Sequence, residues 1–352
     1  MLEKTNLLGL SRSELNIFFT SHGEKSFRTT QLMQWIYHKN ILDFSLMSNL
    51  SQELRDKLTA IACLDLPDVI KTHYSEDGTI KWILNINNNH IEMVFIPEKE
   101  RGTLCISSQI GCALDCTFCY TAQQGFNRNL TADEIIAQVI IAKHHLNTKK
   151  IRLSNVVFMG MGEPLLNETA VYSALNLLLD DNAFGLSRRR VTISTSGVVP
   201  AIKRLTDISP VSLAISLHSA DNTIRSKLVP INNKYPIEEL IDACKYYLKS
   251  GEQQRHILFE YVMLEGINDS TKDAKKLIHL LKSVSAKVNL IPFNSFPKTL
   301  YKSTKKENIK KFQNQLHQAG IRTMVRRTKG DDIIAACGQL AGEVNDKTKR
   351  NI

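Results

Sequence analysis

From residue 11 to about residue 65 the apolar positions recur every three or four residues, the helical period. Ser11 precedes a first helix in SRSELNIFF, and Glu14 three residues on completes a capping box. FRTTQLMQWIYHKN puts Leu32, Trp35 and Ile36 on one face, and LSQELRDKLTAIA does the same with Leu50, Leu54, Leu58 and Ile61. Residues 1–68 are thus expected to form a small helical domain. Beyond residue 70 the pattern turns to strands: TIKWILNI, then HIEMVFIPE, with Asn87, Asn88 and Asn89 as the hairpin turn between them, then GTLCISSQ. Residues 69–101 are taken as a β extension. Over 102–330 six β-branched runs alternate with amphipathic stretches. The runs are TLCISS, NVVFMG, VTISTS, VSLAISLH, HILFEYVML and KVNLIPF. Strands of this kind separated by helices argue a parallel sheet with crossovers. The period leaves a doubly wound sheet and an open or partial barrel both standing.

Composition narrows the class. At 352 residues, 43% hydrophobic and 23% charged, the chain has the balance of a folded protein of two or three domains. No uncharged apolar run reaches the roughly 18 residues of a membrane span, and the opening MLEKTNLLGLSRSEL lacks an export signal. A cytoplasmic protein is expected, in a reducing compartment where seven cysteines are not a disulfide scaffold. The net charge of +10 is uneven. Residues 298–352 carry thirteen Lys and Arg against five Asp and Glu. A basic end of this kind suits a polyanion such as RNA, or is simply a solvated face. Arg188, Arg189, Arg190, Arg326, Arg327 and Lys329 are the candidate phosphate contacts.

Cys63 and Cys244 stand alone and read as small buried hydrophobes, whereas Cys105, Cys112, Cys116 and Cys119 crowd together. Cys112-Ala-Leu-Asp-Cys116-Thr-Phe-Cys119 has the spacing C-x3-C-x2-C on a loop after a strand. Structural zinc wants four ligands, and a redox dithiol leaves Cys112 without a role. Three thiolates on a [4Fe–4S] cluster leave one iron open to a substrate. That spacing resembles the signature of the radical S-adenosylmethionine (SAM) enzymes. Polar residues fall at other strand ends, where βα folds bind ligands. Met-Gly-Met-Gly162-Glu163-Pro follows the second strand. It has Leu165 where a dinucleotide fingerprint has its third glycine. It resembles instead the radical SAM motif that meets the SAM amino group. Ser194 closes the third strand, Ser216-Leu217-His218 the fourth and Asn294 the sixth.

Nearly the whole chain resembles the radical SAM RNA methyltransferases that methylate carbon 2 of adenosine. The segments that carry this include TLCISSQIGCALDCTFCYTAQQGFNRNL, NVVFMGMGEPLLN, LAISLHSADNTIRSKLVPINNKY and GDDIIAACGQLAGE. The resemblance implies a partial (β/α)6 barrel and a helix-hairpin-helix-like RNA-binding N-terminal domain. It implies one [4Fe–4S] cluster on Cys112, Cys116 and Cys119, and SAM held by Gly162, Glu163, Ser194, Ser216, Leu217, His218 and Asn294, two SAM per turnover. Cys337, in the C-terminal segment 331–352, would carry the methyl group, and Cys105 would release the product through a transient disulfide. Glu92 is the matching proton acceptor, with Cys105 the alternative. The substrates implied are an adenosine of the peptidyl-transferase centre of 23S rRNA and the tRNA adenosine 3′ of the anticodon. A flavodoxin-type electron donor and a monomer complete the expectation. Two rivals stay open: the related branch that methylates carbon 8, and a non-catalytic RNA-binding protein with a structural metal.

Overall fold

The computed structural model describes residues 4–99, 101–208, 211–250 and 256–348. Its N-terminal layer holds α1 (Arg12–Ser21), α2 (Phe27–Met33) and α3 (Gln52–Ile61). The capping box on α1 forms as expected, with Ser11 and Glu14 bonding each other's backbone N–H. Leu15, Phe19, Leu32, Leu54 and Leu58 are the buried stripe of these helices. The layer docks on the rest of the chain through polar contacts. The Arg12 guanidinium pairs with Asp180, and Asn6 Nδ2 donates to Asp133 at 3.1 Å.

Ten strands then form one sheet. They are β1 (Val69–Tyr74), β2 (Ile80–Ile86), β3 (Asn89–Glu98), β4 (Arg101–Cys105), β5 (Arg152–Phe158), β6 (Val191–Thr195), β7 (Ser212–Ser216), β8 (Ile257–Met263), β9 (Ala286–Pro292) and β10 (Arg322–Val325). β1 to β4 pair antiparallel in a meander, and β4 to β10 pair parallel. The β2–β3 hairpin turns on Asn87 and Asn88, both at positive φ (50° and 61°), as a two-residue primed turn requires.

The strands lie side by side in chain order from β1 to β10. A doubly wound sheet reverses its order at a switch point; this one never does, and it does not close. The choice that periodicity left standing therefore falls to the open, partial barrel. The crossovers between the parallel strands are α4 (Ala132–Thr148), α5 (Glu168–Leu179), α6 (Val199–Ile208), α7 (Asn222–Leu228) with α8 (Ile237–Ser250), α9 (Thr271–Leu281) and α10 (Lys306–Gln318). Six of the seven parallel strands were expected. β10 and its helix α10 were hidden by charge: KKENIKKFQNQLHQ reads as a basic run, yet Ile309, Phe312 and Leu316 form a buried stripe along it.

After β10 the chain returns as a strap, residues 330–348, across the carboxyl ends of the parallel strands. It is tied on two sides. On the meander side Lys81 Nζ donates to the Ile334 carbonyl at 3.1 Å, Ser75 Oγ to Asp332 at 2.6 Å and His90 N to the Glu343 carbonyl at 2.8 Å. On the cysteine-loop side Thr121 Oγ1 donates to the Leu340 carbonyl at 2.6 Å and Tyr120 N to the Gly338 carbonyl at 2.9 Å. A Cβ on Gly342 would stand 1.7 Å from the His90 carbonyl oxygen, so only glycine lets the strap lie this close to β3. Ile334 has φ 52°, the left-handed region that a β-branched residue occupies only when its surroundings hold it there.

If α10 is a core element rather than a solvated tail, Phe312→Ala should cost about 3–5 kcal/mol of stability. The exposed neighbour Lys310→Ala should stay within about 0.5 kcal/mol. Urea denaturation of the two variants checks this.

Candidate active site

Two cavities meet at the carboxyl ends of the parallel strands. The smaller, about 150 Å³, is lined by Cys112, Cys116 and Cys119 on one side. Gly162, Glu163, Ser194, Ser216, His218 and Asn294 face them from the ends of four different strands or the loops that follow. Counting the whole lining, eight separate stretches of sequence converge on this cavity. Leu217 does not line it. Its side chain is fully buried, and its backbone serves the fold: the N–H donates to the Glu260 carbonyl and the carbonyl accepts from Arg225.

Local structure explains how each group is held. The cysteine loop grows from a short antiparallel ribbon, Gln109–Gly111 with Phe126–Asn129. Gln109 Oε1 accepts from both Ala113 N (3.3 Å) and Glu163 N (2.9 Å), tying this loop to the one carrying Gly162 and Glu163. Gly162 sits at φ 98° with Gln109 Cβ only 2.5 Å from where its own Cβ would be. Glu163 is buried and accepts from Ser196 N at 2.8 Å and Leu165 N at 3.1 Å. Burial raises its pKa, and those backbone donors pull it back. His218, also at positive φ (60°), accepts through Nδ1 from Val262 N, and burial lowers its pKa to about 3, so it is neutral.

Arg225 carries no sequence signal, being one basic residue on a short helix. It is fully buried, and among the described residues no carboxylate pairs with it. It donates to the carbonyls of Ser196 (2.6 Å), Leu217 (3.1 Å) and Ser216 (3.3 Å) and to Asn232 Oδ1 (2.8 Å). It therefore clamps the ends of β6 and β7, which bear Ser194 and Ser216.

The three thiols share a buried setting. Burial pushes all three up, Cys116 to about 12, and for Cys112 and Cys116 the neighbouring thiols add to the shift. Three thiolates this close are unfavourable unless a cationic centre sits among them. Polar hydrogens already approach the sulfurs. Leu114 N donates to Cys112 Sγ at 3.4 Å, and Ser196 Oγ lies 4.0 Å from Cys116 Sγ. Among the described residues no three His, Cys, Asp or Glu side chains are set tightly enough for a single metal ion. The thiols instead line one side of a cavity, which suits a multi-iron cluster.

The larger cavity, about 610 Å³, is lined by Cys105 and Cys337 together with Glu260, Asn289, Asn294, Arg326, Arg327 and Lys329. Cys105 faces it from the end of β4, and Cys337 from the strap, whose carbonyl accepts from Asn294 Nδ2 at 3.3 Å. Burial, with Cys337 adding to it, pushes Cys105 up to about 12. Burial also raises Cys337, but the Arg326 guanidinium, hydrogen-bonded to it, acts the other way. Arg326 was expected to meet RNA phosphate; its side chain meets this sulfur. Arg188, Arg189 and Arg190 enter β6 at its amino end, away from the cysteine loop.

Glu92 lines neither cavity. It is 2% exposed, pairs with Lys81 at 3.0 Å and accepts from Ala341 N at 3.0 Å. Glu260 was not singled out in the sequence. It is 3% exposed and lines both cavities. Asn289 Nδ2 spans its two oxygens at 3.1 and 3.2 Å.

Comparison with known proteins fits this geometry. Residues 5–64 match the model for the ribosomal RNA large subunit methyltransferase N-terminal domain, and residues 106–278 that for the radical SAM superfamily. The chain is 62% identical over 350 residues to the dual-specificity RNA methyltransferase RlmN of Ruthia magnifica subsp. Calyptogena magnifica. That alignment covers 99% of this chain and 98% of the relative. The RlmN protein of Vesicomyosocius okutanii subsp. Calyptogena okutanii shows the same identity and coverage. The chain belongs to the RlmN family of dual-specificity RNA methyltransferases. A crystal structure of a radical SAM methyltransferase from Sphaerobacter thermophilus superposes with a TM-score of 0.90. It is 38% identical and covers 96% of this chain and 99% of that one. An RlmN-family enzyme is a radical SAM RNA methyltransferase, so a [4Fe–4S] cluster and SAM are its cofactors. The smaller cavity, with three thiols on one wall and buried polar groups opposite, fits that pair. Among the described residues no helix is long and apolar enough to cross a membrane.

If the three thiols are the ligands, the parent protein reconstituted without oxygen should take up about four irons and four sulfides. Cys112→Ala, Cys116→Ala or Cys119→Ala should each lose most of both. Iron and sulfide assay with visible absorption measures this, and full loading of any one variant would remove that cysteine from the ligand set.

Proposed function

We propose that the chain methylates carbon 2 of adenosine in the peptidyl-transferase centre of 23S rRNA and, as a second substrate, the tRNA adenosine 3′ of the anticodon. One observation carries this reading: Cys105 and Cys337 share a cavity that opens onto the pocket of the three thiols, and Cys337 lines both. A radical SAM fold needs only three cysteines. Two more, facing each other at the mouth, call for sulfur chemistry on the substrate.

Adenine carbon 2 lies between two ring nitrogens and is electron-poor, so polar methyl transfer to it fails. When bound, the cluster and SAM on Cys112, Cys116 and Cys119 supply a radical able to take an unactivated hydrogen. Gly162, Glu163, Ser194, Ser216, His218 and Asn294 hold SAM, with Leu217 supporting them through its backbone. Cys337 first takes a methyl group on sulfur from one SAM; Arg326 beside it favours the thiolate that does so. A hydrogen is then removed from that methyl at the expense of a second SAM, and its carbon bonds to adenine carbon 2. RNA is now tethered to Cys337. The carbon-2 proton and the adduct's one unpaired electron then leave, the electron to the cluster that Cys112, Cys116 and Cys119 would hold. Cys105 attacks the Cys337 sulfur, the carbon–sulfur bond breaks with its pair left on the methylene carbon, which takes up a proton to become the methyl group, and a disulfide remains as the methylated RNA is freed. The disulfide is reduced at each turnover, as a cytoplasmic enzyme permits. A flavodoxin-type protein serves as electron donor, and the enzyme works as a monomer. The helical segment 1–68 and the basic residues Arg327 and Lys329 at the cavity rim provide the RNA contacts. The target base is flipped into the larger cavity to reach the sulfurs.

Mass spectrometry of digested rRNA and tRNA tests the reading and should find 2-methyladenosine; 8-methyladenosine would assign the chain to the other branch. Cys337→Ala should carry no S-methyl group and yield no product. Cys105→Ala should accumulate RNA covalently bound to protein, visible as a shifted band on a denaturing gel, with product formation down by at least about 100-fold. Normal turnover by Cys105→Ala would exclude the release step.

A further inference from the structure

The proposed reaction takes an adenine and no other base, which calls for a group that reads it. Three asparagines line the larger cavity, Asn155, Asn289 and Asn294. Two are occupied: Asn289 holds Glu260, and Asn294 holds the Cys337 carbonyl. Asn155 has no side-chain hydrogen-bond partner among the described residues. Its amide offers an acceptor and a two-hydrogen donor from one plane. Alternation along β5 turns it inward: Ser154 and Val156 are buried on the far face, whereas Asn155, Val157 and Met159 line the cavity. Register sets its depth. Asn155 pairs with Thr103, and Val157 with Cys105. Asn155 and Thr103 therefore stand one two-residue step from Cys105 toward the amino ends of the strands, about 6.6 Å. From β3, Val94 pairs with Cys105 and Ile96 with Thr103, and both line the same cavity. Apolar side chains thus flank a polar floor below the sulfurs.

We propose that Asn155 is the specificity-determining residue for the target base: its carbonyl accepts from the adenine amino group, and its amide N–H donates to N1. This rests on the functional reading above. The base's own geometry sets the direction. Carbon 2 lies between N3, on the side of the glycosidic bond, and N1, on the side of the amino group. With carbon 2 at Cys105 and Cys337 and the ribose turned to the RNA outside, N1 and the amino group face into the barrel. The reach agrees. The amino nitrogen is about 3.5 Å from carbon 2 and a hydrogen bond adds about 3 Å, close to the single strand step between Cys105 and Asn155. A side-chain amide can match an adenine edge with two hydrogen bonds at once. Enzymes that act on flipped bases read the Watson–Crick edge in this way, with apolar side chains against the ring faces. Val94, Ile96 and Val157 are placed to supply that contact. Both bonds engage the RNA alone, so base selection is separate from the loading of Cys337.

The test pairs a change in the base with a change in the side chain. The reconstituted holoenzyme is given RNA with adenosine at the target position, or the same RNA with purine riboside there, which lacks only the amino group. Product is measured by mass spectrometry as kcat/KM. The parent should favour adenosine by about 30-fold or more, because purine leaves the amide oxygen unpaired. N155A should lose a similar factor on adenosine and treat the two RNAs alike to within about threefold, as a double-mutant cycle requires of direct partners. N155D keeps an acceptor but offers N1 no amide donor. It should also fall on adenosine while still preferring it to purine. Cys337 methylation, read by peptide mass spectrometry, should stay at the parental level in both variants, which a merely structural role would not allow. The proposal is overturned if the parent fails to discriminate, or if N155A keeps the parental preference. It is equally overturned if N155D matches the parent on adenosine, or if Cys337 methylation is lost in either variant. Absence of 2-methyladenosine from the parent acting on adenosine RNA would overturn the functional reading instead.

Discussion

A buried ion pair sets where the chemistry can happen. Lys81 and Glu92 are both nearly inaccessible to water, and they are joined at 3.0 Å across neighbouring antiparallel strands. Desolvating two charges is costly, and such a pair is repaid only when further hydrogen bonds complete it. Here the completing bonds come from the strap: the Ile334 carbonyl accepts from Lys81, and the Ala341 N–H donates to Glu92. The strap supplies what the pair lacks, and the pair pins the strap. Breaking a buried pair of this kind by removing one partner costs about 3–5 kcal/mol, a large share of a domain's stability. The meander β1–β3 is therefore more than an extension of the sheet: it presents this pair, and with it the Gly342 approach, to the end of the chain.

A second buried cation does comparable work on the other side of the site. Among the described residues Arg225 has carbonyl and amide oxygens around it and no carboxylate, yet its guanidinium makes four hydrogen bonds. Burial lowers its pKa to about 10, which still leaves it charged at neutral pH. Carbonyls at the ends of two parallel strands have no partners in the sheet once the strands stop. A fork of N–H donors placed there fixes both ends at once. The same charge lies close enough to Cys116 to favour a thiolate there, so one side chain shapes the cavity wall and its electrostatics together.

Much of this was legible in the sequence, for reasons that differ from part to part. Short-range chemistry was clearest: the α1 capping box, the Asn87–Asn88 turn and the C-x3-C-x2-C loop each depend on residues a few positions apart. The six expected parallel strands showed themselves as β-branched runs because both faces are buried. The seventh did not. In Arg322–Val325 only Thr323 is buried, and its helix α10 hides three core residues among lysines. The meander's first strand, Val69–Tyr74, was missed for a similar reason, since it is an edge strand with Val69, Ile70 and Tyr74 exposed. Cys244 is buried in the core, as a small hydrophobe would be. Buried and half-buried polar residues were the least legible. Glu260, Asn289, Arg225 and Gln109 sit among ordinary strand and loop residues, and only the tertiary fold gives them partners. Glu92 shows the converse: local sequence placed it on a strand beside the site, but not which cavity, if either, it would face.

The geometry also limits how the methyl group would travel in the proposed mechanism. Cys337, Met159, Glu260, Ile291, Asn294 and Arg326 line both cavities and so form the wall between them. A sulfur in that wall is reachable from the SAM side and from the substrate side. A carrier that swung between distant sites would need a loose tether. This strap is instead bonded to the meander, the cysteine loop and the β9 end, where Asn294 and Ser295 engage Cys337 and Gln339. In the proposed mechanism, rotation about the Cys337 side chain, within a strap that stays anchored, would turn the methyl group from one cavity to the other. Rigid anchoring is compatible with the proposed methyl transfer because Cys337 is part of the partition.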